Sequence, residues 1–177
     1  MAEEYLVLTA VGTDRPGIVA ELTALLAERG VNVADSRMAL LGGEFALMAL
    51  VSGATEQLEL ARRDVGTLAE KLALQLIVKE TGSPAARRAG RVRSYAVQVH
   101  ALDHPGIVHA VTSALRALGG NIISLETSAY QAAITGAPLF RMSLVADFPA
   151  EVTAARLRDA LDRVSEAANA DVEVGPG

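Results

Sequence analysis

Two short turns in the sequence carry residue types that could bind a small charged molecule. They are Asp14-Arg15-Pro16-Gly17-Ile18-Val19 and Asp103-His104-Pro105-Gly106-Ile107-Val108. In each turn the glycine allows the backbone to approach a ligand closely. The first N–H groups of a helix after such a turn have no partner inside the helix, and with the helix dipole they suit an anion such as a carboxylate. The two aspartates could pair with an ammonium group.

An asparagine follows each turn, at Asn32 and at Asn121, and its amide both donates and accepts hydrogen bonds. Helix donors, a carboxylate and an amide together fit an amino-acid zwitterion. A structural role is the alternative, because Asp before Pro-Gly is a common turn residue and Asn after Gly can end a helix. The predicted ligand-binding residues are Asp14, Arg15, Pro16, Gly17, Ile18, Val19, Asn32, Asp103, His104, Pro105, Gly106, Ile107, Val108 and Asn121. Since Arg15 corresponds to His104, the two sites need not bind the same ligand.

All three histidines, His100, His104 and His109, fall within ten residues around the second turn. Neutral imidazole is a common metal ligand. However, these positions run from strand through turn to helix without a fixed ligand motif, and no cysteine assists them. We therefore predict no metal site and no other cofactor. The histidines either line the second ligand site or have a structural role.

The residue sets that enzymes use for covalent chemistry are not recognisable in this sequence. No Ser-His-Asp or Cys-His set lies at interpretable positions, and there is no phosphate-binding loop. The absence of cysteine also excludes disulfides and thiolate chemistry. We predict that the protein is not an enzyme.

Charge and terminal composition limit the possible partners. The net charge of −5 argues against a surface that coats nucleic acid. A basic cluster at Arg87, Arg88, Arg91 and Arg93 comes without a helix-turn-helix or interleaved aromatic residues, so we interpret it as solvated linker and expect no direct nucleic-acid binding. The acidic N-terminus lacks signal-peptide features, and no apolar stretch is long enough to cross a bilayer. These features predict a cytoplasmic protein without a membrane partner.

An internal repeat determines the predicted architecture. Asp103 lies 89 residues after Asp14, and the offset holds without a gap from Asp14 to Val33. Nine of these 20 positions are identical, including Asp, Pro, Gly and Asn, which two unrelated apolar helices would not share in register. The chain is therefore a duplication of one module.

Each repeat shows alternating strand and helix signals in the same order. Strands are predicted at 5–11, 31–41, 45–51 and 74–79, and again at 94–101, 121–129, 140–146 and 171–174. Helical spacing follows each turn and each third strand, and Gly30 and Gly119 are predicted to end the first helix of each repeat. The fold class is α+β, with two tandem ferredoxin-like βαββαβ modules. Each module has a four-stranded antiparallel sheet with two helices on one face.

The predicted domains are residues 1–80 and 93–177, joined by a linker at 81–92. The first and third strands of the first repeat are apolar on both sides, whereas a sheet covered on one face should alternate apolar with polar residues. The other module or a second subunit should cover the open face. We expect a homo-oligomer, most simply a homodimer.

The order of strand, Asp-Arg-Pro-Gly-Ile-Val, helix and Gly-x-Asn-Val resembles the ACT domain family of amino-acid-sensing modules. The Asp-Arg-Pro-Gly motif also opens the N-terminal module of formyltetrahydrofolate deformylases. Two tandem copies, with a longer hairpin over 130–140 in the second, are similar to the glycine cleavage system transcriptional repressor family. The resemblance covers roughly residues 5 to 175.

The resemblance implies an effector site at an interface between two modules, formed by the turn and the asparagine. It implies a regulatory protein that senses glycine or a similar small amino acid and signals through a partner protein, with transcriptional control of glycine cleavage as the output. The alternative function is a protein-interaction scaffold whose modules bind no ligand.

Overall fold

The computed structural model of the chain describes residues 3–83, 92–133 and 135–177. The chain divides into two compact units, Met1–Ala89 and Gly90–Gly177, which are described separately below. Most of the predicted linker, including Arg87, Arg88 and Arg91, lies outside the described residues, as does position 134 in the second hairpin. The domain boundaries at 80 and 93 therefore stay a prediction.

Both units have the predicted βαββαβ order. The first contains β1 (Glu4–Thr13), α1 (Ile18–Glu28), β2 (Asn32–Leu41), β3 (Glu44–Gly53), α2 (Thr55–Lys71) and β4 (Gln75–Thr81). The second contains β5 (Val92–Leu102), α3 (Ile107–Ala117), β6 (Asn121–Gln131), β7 (Pro138–Pro149), α4 (Ala154–Ala168) and β8 (Ala170–Pro176). The sheets are antiparallel with strand orders β2-β3-β1-β4 and β6-β7-β5-β8. The predicted fold is confirmed.

One face of each sheet is buried beneath the two helices of its own module. In the first module, alternate residues of β1 and β3 pack with one stripe of α1 and one stripe of α2. The members of this core include Leu6, Leu8, Ala10, Leu47, Ala49, Val51, Ile18, Leu22, Leu26, Leu58, Ala61 and Val65. The second core has the same plan and adds Phe140 and Phe148. Among the described residues, no helix of the same module covers the other face of either sheet.

The first helix of each module begins and ends at a glycine. Gly17 and Gly106 are the N-cap residues, so the preceding prolines lie one position before the cap. At the other end, Gly30 has φ 68°, and the N–H of Val31 donates to the carbonyl of Leu26 at 2.9 Å. Gly119 ends α3 in the same way, which confirms both predicted C-terminal glycines.

The hairpin between the second and third strands differs between the modules. In the first module, only Gly42 and Gly43 connect β2 to β3. In the second, residues 132–137 connect β6 to β7, and the N–H of Ala132 donates to the carbonyl of Ala137 at 2.9 Å. The predicted longer hairpin of the second repeat is confirmed. Among the described residues, no helix is long and apolar enough to span a membrane.

Candidate ligand-binding turns

The sheet holds each Asp-x-Pro-Gly turn at the end of the first strand of its module. The backbone N–H of Asp14 donates to the carbonyl of Gly43 at 3.2 Å, and that of Asp103 donates to the carbonyl of Pro138 at 2.9 Å. Each turn is thereby fixed to the hairpin of the second and third strands, through the last residue of its loop in the first module and the first residue of β7 in the second. Each module presents the motif from the corresponding corner of its own sheet.

The N-cap glycines have a backbone conformation that other residues rarely adopt. Gly17 has φ 97° and ψ −11°, and Gly106 has φ 101° and ψ −14°. No atom of the described chain lies within 4 Å of where a Cβ at Gly106 would be, and at Gly17 only the Glu21 Oε1 atom comes within 3.7 Å. The glycines are therefore required by the backbone angle and not by crowding. They also leave open space beside the helix N-terminus.

The start of each of these helices has no side-chain cap. Glycine has no side-chain oxygen, and the N–H groups of the first turn of α1 and α3 have no side-chain cap hydrogen bond. The N–H groups of the first turn consequently remain available to an acceptor from outside the helix. This feature is what an anion-binding helix start needs.

The remaining motif residues differ in what their side chains can reach. Ile18 and Ile107 are core residues, each only 2% exposed, so only their backbone could touch a ligand. Val19 and Val108 lie partly exposed on the first helical turn. The Asp14 carboxylate has no hydrogen bond or ion pair within the described residues. It is the free charged group of the first turn.

Arg15 is engaged inside the first module. Its guanidinium donates to Glu21 Oε1 at 3.1 Å, and the same carboxylate faces the Lys71 ammonium at 3.7 Å. Glu21 lies in the first turn of α1, where a negative charge interacts favourably with the helix dipole. The positive charge at the start of α1 is thus partly neutralised by a carboxylate of its own chain.

His104 is engaged differently in the second module. Its Nδ1 lies 3.0 Å from the carbonyl oxygen of Pro105, and its Nε2 lies 3.3 Å from that of Ala168, the last residue of α4. Carbonyl oxygens only accept, so both contacts are satisfied when the imidazole is doubly protonated. The Pro105 and Ala168 carbonyls, with a smaller contribution from Asp103, raise the pKa of His104 above its usual value of 6.5.

We expect a pH dependence from this arrangement. The folded-state pKa of His104 is raised, so the protonated imidazole stabilises the folded state. This stabilisation is fully present below pH 6.5 and is lost as the pH rises through the folded-state pKa. Two-dimensional NMR of the imidazole protons should give a His104 pKa above 6.5. The melting-temperature difference between the wild type and His104→Asn should shrink above that pKa. A His104 pKa at or below the value of the unfolded chain would contradict the assigned contacts.

The asparagines lie far from the turns of their own modules. Asn32 begins β2 opposite Ser52, which in turn pairs with Tyr5 near the start of β1, whereas Asp14 follows the end of β1. Asp14 lies nine residues after Tyr5 along this strand, which is roughly 30 Å at the usual rise per residue. Asn121 occupies the same position at the start of β6. One module alone therefore cannot bring its turn and its asparagine to one ligand.

A cavity in the second module contains polar residues that the motif did not indicate. It has a volume of about 240 Å³ and lies at the end of the sheet near the second turn. Its polar lining comprises His100, Tyr130, Asn169 and Asp171. The corresponding positions of the first module hold Val11, Leu41, Ala73 and Gln75. Comparing the repeats strand by strand would have indicated this difference. Within the described ranges, no group of three or more His, Cys, Asp and Glu residues is arranged to hold a metal ion.

Fold and turns together define a protein built from ACT modules, and a sequence model of the ACT domain family matches residues 4–79. The glycine cleavage system transcriptional repressor of Escherichia coli K12 is 32% identical over 169 residues, which are 96% of this chain and 88% of that protein. This chain belongs to the family of that repressor.

Solved structures agree with this assignment. A protein of unknown function from Galdieria sulphuraria superposes with a TM-score of 0.83 at 33% identity over 99% of both chains. A protein assigned as a glycine cleavage system transcriptional repressor superposes with a TM-score of 0.72 at 27% identity, over 99% of this chain and 98% of that one.

Proposed function

We propose that this protein is a non-enzymatic regulator that senses a small amino acid at interfaces between ACT modules. The observation that carries the proposal is the uncapped helix start behind an Asp-x-Pro-Gly turn, which occurs with nearly the same angles in both modules. The free N–H groups suit the ligand carboxylate, and Asp14 or Asp103 suits its ammonium group.

The complete site would need a second module. The edge strands β2 and β6 have backbone groups open to pairing, and all ten residues of β2 are exposed. β2 begins at Asn32 and ends at the corner that carries the turn. If a second β2 or β6 strand paired with it in the antiparallel direction, that partner strand would begin at this corner. Its first residue, an asparagine, would then lie beside the turn. The partner strand could come from the other module or from a second copy of the chain.

The second module is the stronger candidate for carboxylate binding. Its helix α3 has no acidic residue in the first turn, whereas α1 has Glu21 there. A ligand carboxylate at α1 would be repelled by this neighbour, although Arg15 and Lys71 offset part of its charge. In the second module, the protonated form of His104 adds a positive charge near the turn. We infer that ligand affinity differs between the modules.

Family membership supports a regulatory output. The relative from Escherichia coli is by name a transcriptional repressor of the glycine cleavage system, so glycine is the first effector to test. The sequence predicts no DNA-binding element, and we infer that the effect on transcription passes through a partner protein. A scaffold that binds a partner without a ligand is the alternative, and the exposed edge strands are compatible with it.

Thermal unfolding of the full chain with each of the twenty amino acids tests the proposal. At ten times the dissociation constant, a ligand stabilises the native state by about 1.4 kcal/mol, which corresponds to about 5–10 °C for a module of this size. Glycinamide lacks the carboxylate and acetate lacks the ammonium group, so neither should reproduce the shift. Calorimetric titration would give the stoichiometry per chain. If no amino acid shifts the transition at millimolar concentration, the scaffold function is favoured.

A further inference from the structure

The helix-free face of the first sheet is apolar across its centre. It is formed by the residues of β1, β3 and β4 that alternate with the buried core residues. The apolar members are Val7, Val11, Ala46, Met48, Leu50 and Ile77, which we call the apolar sheet face. Met48 is 54% exposed and Ile77 is 66% exposed. Exposed apolar residues this closely grouped mark an interaction surface more often than isolated ones do.

The centre of the same face of the second module is polar, although Ala96 and Val145 match Val7 and Leu50. The strand registers match Met48 with Ser143, Ile77 with Glu173 and the central Thr9 with Gln98. They also match Val11 with His100, and Ala46 with Arg141. Because the two modules share one fold, this contrast does not follow from the requirements of folding. The first module therefore has an apolar centre on this face that the second module does not have.

Charged residues lie at the border of the apolar sheet face and not at its centre. Asp35 and Arg37 on β2 pair with each other at 2.5 Å. Lys79 lies on β4 and Glu44 at the end of β3, each at the edge of the apolar group. A neutral centre inside a charged border is the usual composition of a protein–protein interface.

The size of the face suits a dimer. Together with its charged border on β2, the sheet face spans four strands of seven to ten residues. At about 4.8 Å between strands it covers about 19 by 33 Å, or roughly 600 Å². Two such faces would bury about 1,200 Å², at the lower end of stable interfaces. A sheet face with a neutral centre can also match its own copy across a twofold axis. The polar face of the second module is a poorer match, since apolar contact would bury Gln98, Arg141 and Glu173 without partners.

We propose that the apolar sheet face of the first module packs against the same face of a second copy of the chain, forming a twofold dimer. This interface is separate from the turns and from the edge strands. It does not depend on ligand binding, and it does not use the polar face of the second module.

Analytical ultracentrifugation of the full chain without amino acids tests this proposal. The double variant Met48→Ser with Ile77→Glu introduces the residues found at the matching positions of the second module, so the fold should tolerate it. We expect the dissociation constant of the dimer to rise at least about tenfold, since central apolar residues dominate interface energetics. Ser143→Glu, at the position matching Met48, is the control and should leave the dimer unchanged.

Three outcomes would overturn the proposal: a monomeric wild type at high micromolar concentration, a dimer unaffected by the double variant, or equal weakening by Ser143→Glu. Circular dichroism should show that the double variant remains folded. Hydrogen exchange of β1 and β3 provides a second measurement, because amides beneath the dimer interface should exchange faster in the variant and on dilution of the wild type. Protection independent of concentration would mean that another part of the same chain covers the face.

Discussion

Phe148→Ala is expected to lower the free energy of unfolding of the second module by about 3–5 kcal/mol. The Phe148 ring is fully buried and meets the Tyr95 ring edge to face, with 5.8 Å between the ring centroids. It also packs against Gly120, where a Cβ would lie 2.6 Å from the phenylalanine Cε1 atom. Truncation would therefore leave a cavity between the sheet and the α3–β6 connection. Urea denaturation followed by circular dichroism would measure the loss, and hydrogen exchange would assign it to residues 92–177.

Tyr130→Ala is the matched control, because it removes an aromatic ring from the same module at a position that is 46% exposed. The control should change stability by about 0.5 kcal/mol or less. If Phe148→Ala does not fold, Phe148→Leu should remain folded with a smaller loss of stability. Similar effects of the exposed and the buried truncation would show that the core is not organised around Phe148.

The repeat and the local signals within it were sufficient to predict the fold. Turn chemistry, helical spacing and C-terminal glycines act over a few residues, so they can be recognised in sequence without knowing what packs nearby. Gly30 and Gly119 are examples, since φ near 70° strongly favours glycine. With two copies of the pattern in register, the order of the strands had few alternatives.

The side-chain partners at the turns could not be predicted, because they come from elements distant in the chain. Lys71 meets Glu21 only because the end of α2 lies beside the start of α1. His104 likewise meets the carbonyl of Ala168 at the end of α4, 64 residues away. No local spacing encodes either contact. Both arrangements result from the packing of two helices on one sheet.

The relation between turn and asparagine depends on strand direction. In the sequence, Asp14 and Asn32 flank a single helix and look like neighbours. The helix returns the chain to the other end of the sheet before Asn32 begins β2, so the two residues are separated by the length of a strand. The sequence could identify both residues as candidates for a ligand site. Only the topology indicates that the turn and the asparagine of one module cannot belong to the same site.

Asp14→Ala combined with Asp103→Ala is expected to abolish the stabilisation by amino acids. Each substitution would remove the counter-charge for the ligand ammonium group, and a hydrogen bond to a charged group contributes about 1.5–3 kcal/mol, or roughly 10- to 100-fold in affinity per site. Because α3 lacks an acidic residue corresponding to Glu21, Asp103→Ala should cause the larger loss. Calorimetric titration of the two single variants and the double variant would measure these losses.

Asp159→Ala removes the same charge from an exposed position of α4 and should leave binding unchanged. The self-association of the chain should also survive the double substitution, because neither aspartate belongs to the apolar sheet face. Persistent binding in the double variant would move the ammonium site away from the turns. The cavity with His100 and Asp171 would then be the next site to test, since Asp171 supplies a carboxylate there and the first module has Gln75 at the matching position.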